Sequence, residues 1–242
     1  MPRLITYNVR RCLGRDGRIS PERIAGIIAR LEPDIVALQE LDVGRARSFG
    51  VDQARAIADE LRMQMHFHPA LRVMEELYGD AILTPHRSRL IRAGALPGPK
   101  RLEPRGALWA SVTMGRVEWQ FINTHLGLLP GERHRQLDAL MGPDWLGHRD
   151  ARDPLIFMGD LNATPSSRLY RRLADAMGDA QVMVPGHKPR ATFPSRMPFL
   201  RIDHVFVSRS VRVQAVQAPR DAQTRVASDH LPLVVDFSAV AS

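Results

Sequence analysis

The stretch Leu155-Ile156-Phe157-Met158-Gly159-Asp160-Leu161-Asn162-Ala163-Thr164-Pro165 decides the fold class of this chain. Its first residues form an apolar run of strand length. Thr164-Pro165 then supplies an N-cap and a first-turn proline, which predicts a helix to about Ala176. A strand therefore passes into a helix through a turn that carries an acid and an amide two positions apart. Residues i and i+2 of extended chain project from one face, so Asp160 and Asn162 converge.

The same pattern recurs on either side. Residues 4–8 read as an opening strand, and Ser20-Pro21 opens a helix carrying Ile24, Ile27, Ile28 and Leu31 on one face. Pro33 stops that helix, and residues 34–39 read as a buried strand ending at Glu40. A second helix is expected over 52–61 and a third over 131–141. Strands are expected at 64–68, 81–84, 90–96, 107–113 and 118–123, then at 204–208, 211–216 and 231–237. Strands arrive mostly as neighbours and helices singly between groups of them. This favours an α/β (α+β) sandwich of mixed sheets over a strictly alternating parallel fold. No repeat, low-complexity tract or Gly/Ser linker interrupts the pattern, so residues 1–242 read as a single domain.

Composition bounds the function classes. The 44% hydrophobic and 25% charged residues are those of an ordinary globular protein. No apolar run approaches the ~20 residues of a membrane span. The first residues read as a strand rather than a signal peptide, so the expected location is cytoplasmic. One cysteine, Cys12, excludes an internal disulfide and a multi-cysteine zinc site. The net charge of +8 admits an anionic partner: nucleic acid, a phospholipid surface or a phosphorylated metabolite. Of the 34 basic residues only Lys100 and Lys188 are lysine, and the arginines are scattered without a like-charge block. The charge permits such a partner without requiring one.

Chemistry concentrates at strand ends. Asn8 ends the first strand, Glu40 the second, Asn123-Thr124-His125 another, and Asp160-Leu161-Asn162 the next. Asp203-His204 and Ser228-Asp229-His230 stand at strand entrances. A charge at a buried strand tip is costly unless paired or bound to metal. Brought to one rim, these tips would gather hard oxygen ligands with two or three imidazoles, a set suited to magnesium or manganese rather than zinc. Phosphoester hydrolysis needs such a combination: a cation for the phosphoryl oxygens, a base for water and a donor for the leaving oxygen. Each motif alone has an ordinary reading as a turn or a solvated strand end. Their joint presence, in this order, carries the argument.

The series Thr6-Tyr7-Asn8-Val9, Leu38-Gln39-Glu40, Asn123-Thr124-His125-Leu126, Gly159-Asp160-Leu161-Asn162, Arg201-Ile202-Asp203 and Ser228-Asp229-His230 resembles the endonuclease/exonuclease/phosphatase superfamily. That group includes deoxyribonuclease I, exonuclease III, inositol polyphosphate 5-phosphatases and sphingomyelinases. The resemblance implies a deoxyribonuclease I-like four-layer sandwich, two mixed β-sheets packed face to face with helices outside. It implies Mg2+ or Mn2+ held by Glu40 and Asn8, with Asp229 as a further ligand. It implies that Asp160 orients or deprotonates the attacking water and that Asn162 bonds the phosphoryl group. His230, oriented by Asp203, would contact the scissile phosphate, and His125 would be a general acid or transition-state donor. Two softer matches leave alternatives open. Asp80 stands where asparagine is usual, either orienting His125 or facing solvent. Arg105, in Glu103-Pro104-Arg105-Gly106, either grips a substrate phosphate or pairs with Glu103.

Arg10 and the Asn-Thr-His-Leu segment depart from the abasic-site nucleases of this superfamily. His125-Leu126-Gly127-Leu128, with Arg133, Gln136 and Leu140, looks more like a branch of small bacterial members, some linked with phospholipid or lipid-anchor metabolism. In that branch the segment 190–201 forms a loop over the site, where Phe193, Met197 and Phe199 would meet an apolar substrate group or simply pack. The expectation is thus a metal-dependent phosphodiesterase or phosphatase acting on a small, lipid-derived or other phosphoester. Transient contact with a membrane surface goes with it. A nuclease acting on DNA or RNA is the alternative, admitted by the charge but not favoured. A silent phosphate-binding module is the reading from another class, opposed by the intact polar set.

Overall fold

The computed structural model describes residues 1–240. Its first sheet runs in the order β11-β12-β1-β2-β4-β3, with β1 Arg3–Asn8, β2 Ile35–Val43, β3 Gln64–Val73, β4 Glu76–Thr84, β11 Val211–Gln217 and β12 Leu233–Ala239. The second runs β5-β6-β7-β8-β10-β9, with β5 Ser88–Ala95, β6 Gly106–Met114, β7 Val117–His125, β8 Leu155–Asp160, β9 Gly178–Asp179 and β10 Asp203–Val207. Each sheet contains one parallel pair, β1 with β2 and β7 with β8, among antiparallel neighbours. Helices α1 Pro21–Ala29 and α2 Gln53–Leu61 cover the first sheet, and α3 Pro130–Leu140 and α4 Arg168–Ala176 the second. Short helices α5 Ala180–Met183 and α6 Thr224–Ala227 lie in the connections.

Strand alternation builds three apolar layers. On β1, Leu4 joins Ala37, Ile82, Phe121, Met158 and Val205 between the sheets, while Ile5 and Tyr7 face α1 and α2. On the other side Ile122 and Phe157 meet Leu137, Leu140 and Leu173 of the outer helices. Towards one rim the row between the sheets turns polar. Thr6, Gln39 and Asn123 are fully buried there. Gln39 Nε2 donates to Thr6 Oγ1 at 3.0 Å and to Asn123 Oδ1 at 2.8 Å. Asn123 Nδ2 donates to the carbonyls of Leu38 and Ala81 at 3.0 and 2.9 Å, so a polar bridge ties the two sheets together beneath the rim, leaving Gln39 Oε1 buried without a partner.

The expected architecture is therefore present, with local differences. β2 does not end at Glu40 but continues to Val43, with its ladder to β4 slipping between Leu38 and Leu41. That bulge holds Glu40 at φ 62°, left-handed backbone that costs a non-glycine residue roughly 1–2 kcal/mol. β3 and β4 are longer than expected and form a hairpin turning at Met74. α4 starts at Arg168, capped by Ser167 through Tyr170 N–H, because Thr164 instead closes a turn by accepting from Ser167 N–H. Among the described residues no helix is long and apolar enough to cross a membrane.

Candidate active site

Strand register assembles half of the cluster. β7 and β8 are parallel, with His125 opposite Asp160, and β10 lies antiparallel to β8 with Asp203 opposite Asp160. Cross-strand partners share a face, so the three side chains enter the space between the sheets side by side. Gly159 makes that approach feasible. Its φ is 144°, and a Cβ there would lie 1.9 Å from the Thr124 carbonyl oxygen. The first sheet contributes Asn8 from the end of β1 and Glu40 from its bulge. Asn8 Nδ2 donates to Glu40 Oε1 and to Asp160 Oδ2, each at 2.9 Å, and so joins the sheets across the cluster.

Asp160 is its centre. Its Oδ1 accepts from Asn162 N–H at 2.9 Å, and its Oδ2 lies 3.6 Å from both His125 Nε2 and His230 Nε2. Burial, then the neighbouring Asp203, hold its carboxyl above the usual range against the pull of His230 and Asn8. Asp203 Oδ2 accepts from His230 Nδ1 at 2.9 Å and from the Thr192 hydroxyl. Its Oδ1 is buried without a partner.

The two imidazoles are driven to opposite states. Burial by itself would lower His230, but Asp203 and then Asp160 carry it up to about 10, so it is a cation at neutral pH. His125 is held well below its ordinary value by burial, then by Arg105 and His230, and is neutral. Environments that push like groups apart in this way mark acid and base assignments.

Asn162 enters at φ 48°, with Nδ2 2.9 Å from the Leu126 carbonyl and 3.2 Å from His125 Nε2. Asp229 sits at the rim, its Oδ2 3.4 Å from Arg10 Nε. Arg105 is directed not outward but to Glu103 Oε1 at 2.8 Å and His125 Nδ1 at 3.0 Å. Asp80 is 3% exposed, so it does not face solvent, and it makes no hydrogen bond to His125. Its Oδ1 accepts from Glu40 N–H at 3.4 Å, and burial holds its carboxyl up at about 7 despite Arg105. On the loop at 190–201, Phe193 packs on the His230 ring at 4.8 Å between centroids, while Met197 and Phe199 are each 71% exposed. Ser195 pins that loop, its N–H donating to the Asp229 carbonyl and its hydroxyl to that of Ser228. Gln136 and Arg133 of α3 bond the Gly127 backbone just beyond His125.

Two features carried no readable signal. Arg10, Arg11 and Cys12 all have positive φ, forming a left-handed turn one residue beyond Asn8, tied by Gln53 Nε2 to the Arg11 carbonyl at 2.7 Å. Gln39 and Asn123 lay inside the motifs, yet only the packing of one sheet on the other reveals their bridge.

Two donor sets could hold a divalent cation. Asp160, Asp203 and His230 have ligand atoms within 4.8 Å of one another. There, however, His230 Nδ1 is committed to Asp203 and the ring is cationic, which suits a salt bridge better than a ligand. Glu40, beside Asp160, offers the hard oxygens that fit magnesium or manganese, whereas Asn8 turns its amide nitrogen to both carboxylates and its Oδ1 to Arg10 N–H, so its amide would have to rotate to become a ligand.

Two six-stranded mixed sheets flanked by helices, with this polar cluster at one rim, make up a deoxyribonuclease I-like fold. A profile of the Endonuclease/Exonuclease/phosphatase family matches residues 5–230, and the chain belongs to that family of phosphoester hydrolases. The protein YbhP of Escherichia coli (strain K12) is 29% identical over 138 residues, 56% of this chain and 53% of that protein. The match thus spans about half the length of that relative. An endonuclease/exonuclease/phosphatase from Beutenbergia cavernae superposes with TM-score 0.80 at 23% identity, over 98% of this chain and 71% of that one. The mannosyl-6-phosphatase Bt3783 of Bacteroides thetaiotaomicron gives 0.80 at 19%, over 98% and 100%. The human Nocturnin catalytic domain gives 0.71 at 22%, over 98% and 93%. Identities this low show a shared fold.

Proposed function

We propose that residues 1–242 form one domain that hydrolyses a small phosphoester with Mg2+ or Mn2+, through an Asp160-oriented water. The observation that carries this reading is the register pairing His125, Asp160 and Asp203 side by side, with Glu40 facing them from the other sheet.

Glu40 would hold the cation, joined by Asn8 once its amide turns its oxygen inward and by Asp229 at the rim as a further carboxylate. Bound there, the metal supplies positive charge for the phosphoryl oxygens and lowers the pKa of water. The chain's own groups do the rest. Asp160 accepts the proton of the attacking water. His230, kept cationic by Asp203, donates to the phosphoryl oxygen, and Phe193 against its ring limits water access. His125 and Asn162 present N–H groups where charge develops on the phosphoryl group and the leaving oxygen.

A cavity of about 660 Å³ lies beside the loop at 190–201, lined by none of the cluster's side chains. It is lined by His187, Arg190, Phe199, Arg220 and Leu231 and by no acid. Its one link to the cluster is Leu231, the residue after His230, and its mixture of arginine and apolar surface would suit the apolar or second anionic portion of a phosphoester, lipid-derived ones included, that extends past the cluster. The net charge of +8 favours nucleic acid as the second reading.

A panel of bis-p-nitrophenyl phosphate, p-nitrophenyl phosphate, phosphatidylglycerol, cardiolipin, plasmid DNA and single-stranded RNA, with magnesium and with manganese, tests both readings. Asp160→Asn is the control. Turnover of a small ester that disappears in the variant supports the proposal. Equal turnover by both proteins on every substrate overturns it, and EDTA-sensitive plasmid nicking above all else puts the nuclease first.

A further inference from the structure

Arg105 is buried, with a side chain 8% exposed, and it reaches no open surface. Its Nη1 lies 2.8 Å from Glu103 Oε1 and 3.0 Å from His125 Nδ1. It enters on the residue before β6, where its backbone carbonyl accepts from Leu96 N–H at 2.7 Å. The next residue, Gly106, is pressed by the His68 ring, 2.6 Å from where a Cβ would stand. The guanidinium thus leaves from a fixed backbone position and is held at its tip by the Glu103 carboxylate, while its Nε is buried without a partner.

At the other end of the same imidazole, Asn162 Nδ2 stands 3.2 Å from His125 Nε2. Two donors thus face one ring. A neutral imidazole carries one proton, so only one of its nitrogens can accept. The two donors are not equivalent. A guanidinium has no acceptor and no neutral form in a protein, so it can only donate, whereas an amide nitrogen can leave the ring unbonded when another acceptor takes its hydrogen. Asn162 also has another use for its nitrogen, the Leu126 carbonyl at 2.9 Å. The contest resolves in favour of Arg105.

We propose that Arg105 is a positioning residue that locks His125 with Nδ1 as acceptor and Nε2–H aimed into the cluster. In that state the ring is a fixed donor beside Asp160 and Glu40, whose carboxylate oxygens lie 3.6 and 4.0 Å from Nε2. It does not pass protons between its two ends, because the Nδ1 end is closed by a permanent donor. The activity arm of this inference rests on the hydrolase reading; the tautomer does not.

The test is nitrogen NMR of protein labelled with 15N-histidine, with the His125 signals assigned by their loss in His125→Asn. In the unsubstituted protein Nδ1 should show the shift of a bare nitrogen and Nε2 that of a protonated one. Arg105→Met leaves Asn162 as the only donor, so the pattern should invert or mix. Arg105→Lys, again a donor without an acceptor, should restore it. Loss of an orienting partner costs about 10–100-fold, so kcat in Arg105→Met should fall by that much with KM little changed, and recover in part in Arg105→Lys. Thermal melts establish that both variants fold; should Arg105→Met not fold, Arg105→Lys and the unsubstituted protein still decide the tautomer. A protonated Nδ1 in the unsubstituted protein overturns the proposal. So does an unchanged tautomer in Arg105→Met with KM raised and kcat intact, which would make Arg105 a substrate grip. If no substrate is turned over by any protein while the tautomer pattern holds, the hydrolase reading fails and the lock stands.

Discussion

Replacing Asn123 with leucine keeps the side chain's branching while removing every polar atom of the bridge between the sheets. Three hydrogen bonds disappear: from Nδ2 to the carbonyls of Leu38 and Ala81, and from Gln39 Nε2 to Oδ1. At a net worth of about 1 kcal/mol each they account for about 3 kcal/mol. Leaving buried carbonyls short of a donor adds a cost of roughly 1–3 kcal/mol each where no other donor reaches them. Gln39 is less exposed to this penalty, since its Nε2 keeps Thr6 Oγ1 at 3.0 Å. The extra apolar burial of leucine returns roughly 1.5–2 kcal/mol. The net expectation is a loss of at least about 3 kcal/mol, which in a chain of this size lowers Tm by roughly 6–12 °C or more. Urea unfolding followed by tryptophan fluorescence measures it directly. A second consequence follows from position: Leu38 is where the β2 ladder slips before turning Glu40 inward. The variant should therefore also bind magnesium more weakly by calorimetry. A loss under about 1 kcal/mol with unchanged magnesium affinity would refute the reasoning, because the bridge would then be dispensable to both the sheets and the bulge.

Three further outcomes are expected. Asp203→Asn removes the carboxylate that keeps His230 cationic, and kcat should fall by about 100-fold or more, with the basic limb of the pH–rate profile moving to lower pH; an unshifted limb contradicts that pairing. Gly159→Ala places a Cβ 1.9 Å from the Thr124 carbonyl oxygen at φ 144°, so it should cost more than about 4 kcal/mol or prevent folding, and a near-normal melt rules out so close an approach of Gly159 to Thr124. His204 is buried, with Nε2 on the Ala163 carbonyl, and burial followed by Arg201 lowers its pKa to about 4. The folded value lies below the unfolded one, so its contribution is complete above about pH 6.5 and is lost as pH falls through 4, a loss of roughly 3 kcal/mol. His204→Gln should flatten that part of the stability–pH curve, and parallel curves for the two proteins would disprove the assignment.

What could be read in the sequence was local. Leu155–Asp160 announces a strand by its apolar run, and Ser20-Pro21 announces a helix by its cap, because both signals lie within a few residues. The polar strand ends were equally visible, since an acid after four buried residues stands out in one dimension. The bulge at Glu40 was not visible, because a register slip is a relation between β2 and β4, about forty residues apart in the chain. The start of α4 was misread for a related reason: Thr164-Pro165 and Ser167 are both plausible caps, and only the turn geometry chooses between them. Asp80 and Arg105 show the limit most clearly. Both were legible as charged residues near the site, but which of them backs His125 depends on how a β4 residue and the residue before β6 meet across the gap between the sheets.

That distinction has chemical weight, because the partner behind each imidazole sets what the imidazole can do. A carboxylate behind His230 accepts from Nδ1–H and stabilises the cation, so the ring meets a phosphate with charge as well as a proton. A guanidinium behind His125 can only donate, so that ring stays neutral and offers one hydrogen bond. Asp160 lies between them at equal distance from both Nε2 atoms, and burial with Asp203 raises its proton affinity. Were both rings cationic, Asp160 would be pulled down and lose strength as a base. Were both neutral, the phosphoryl charge would meet no protein cation at this point. One ring of each kind leaves Asp160 basic enough to take a proton from water, while His230 stands ready to meet the charge that forms.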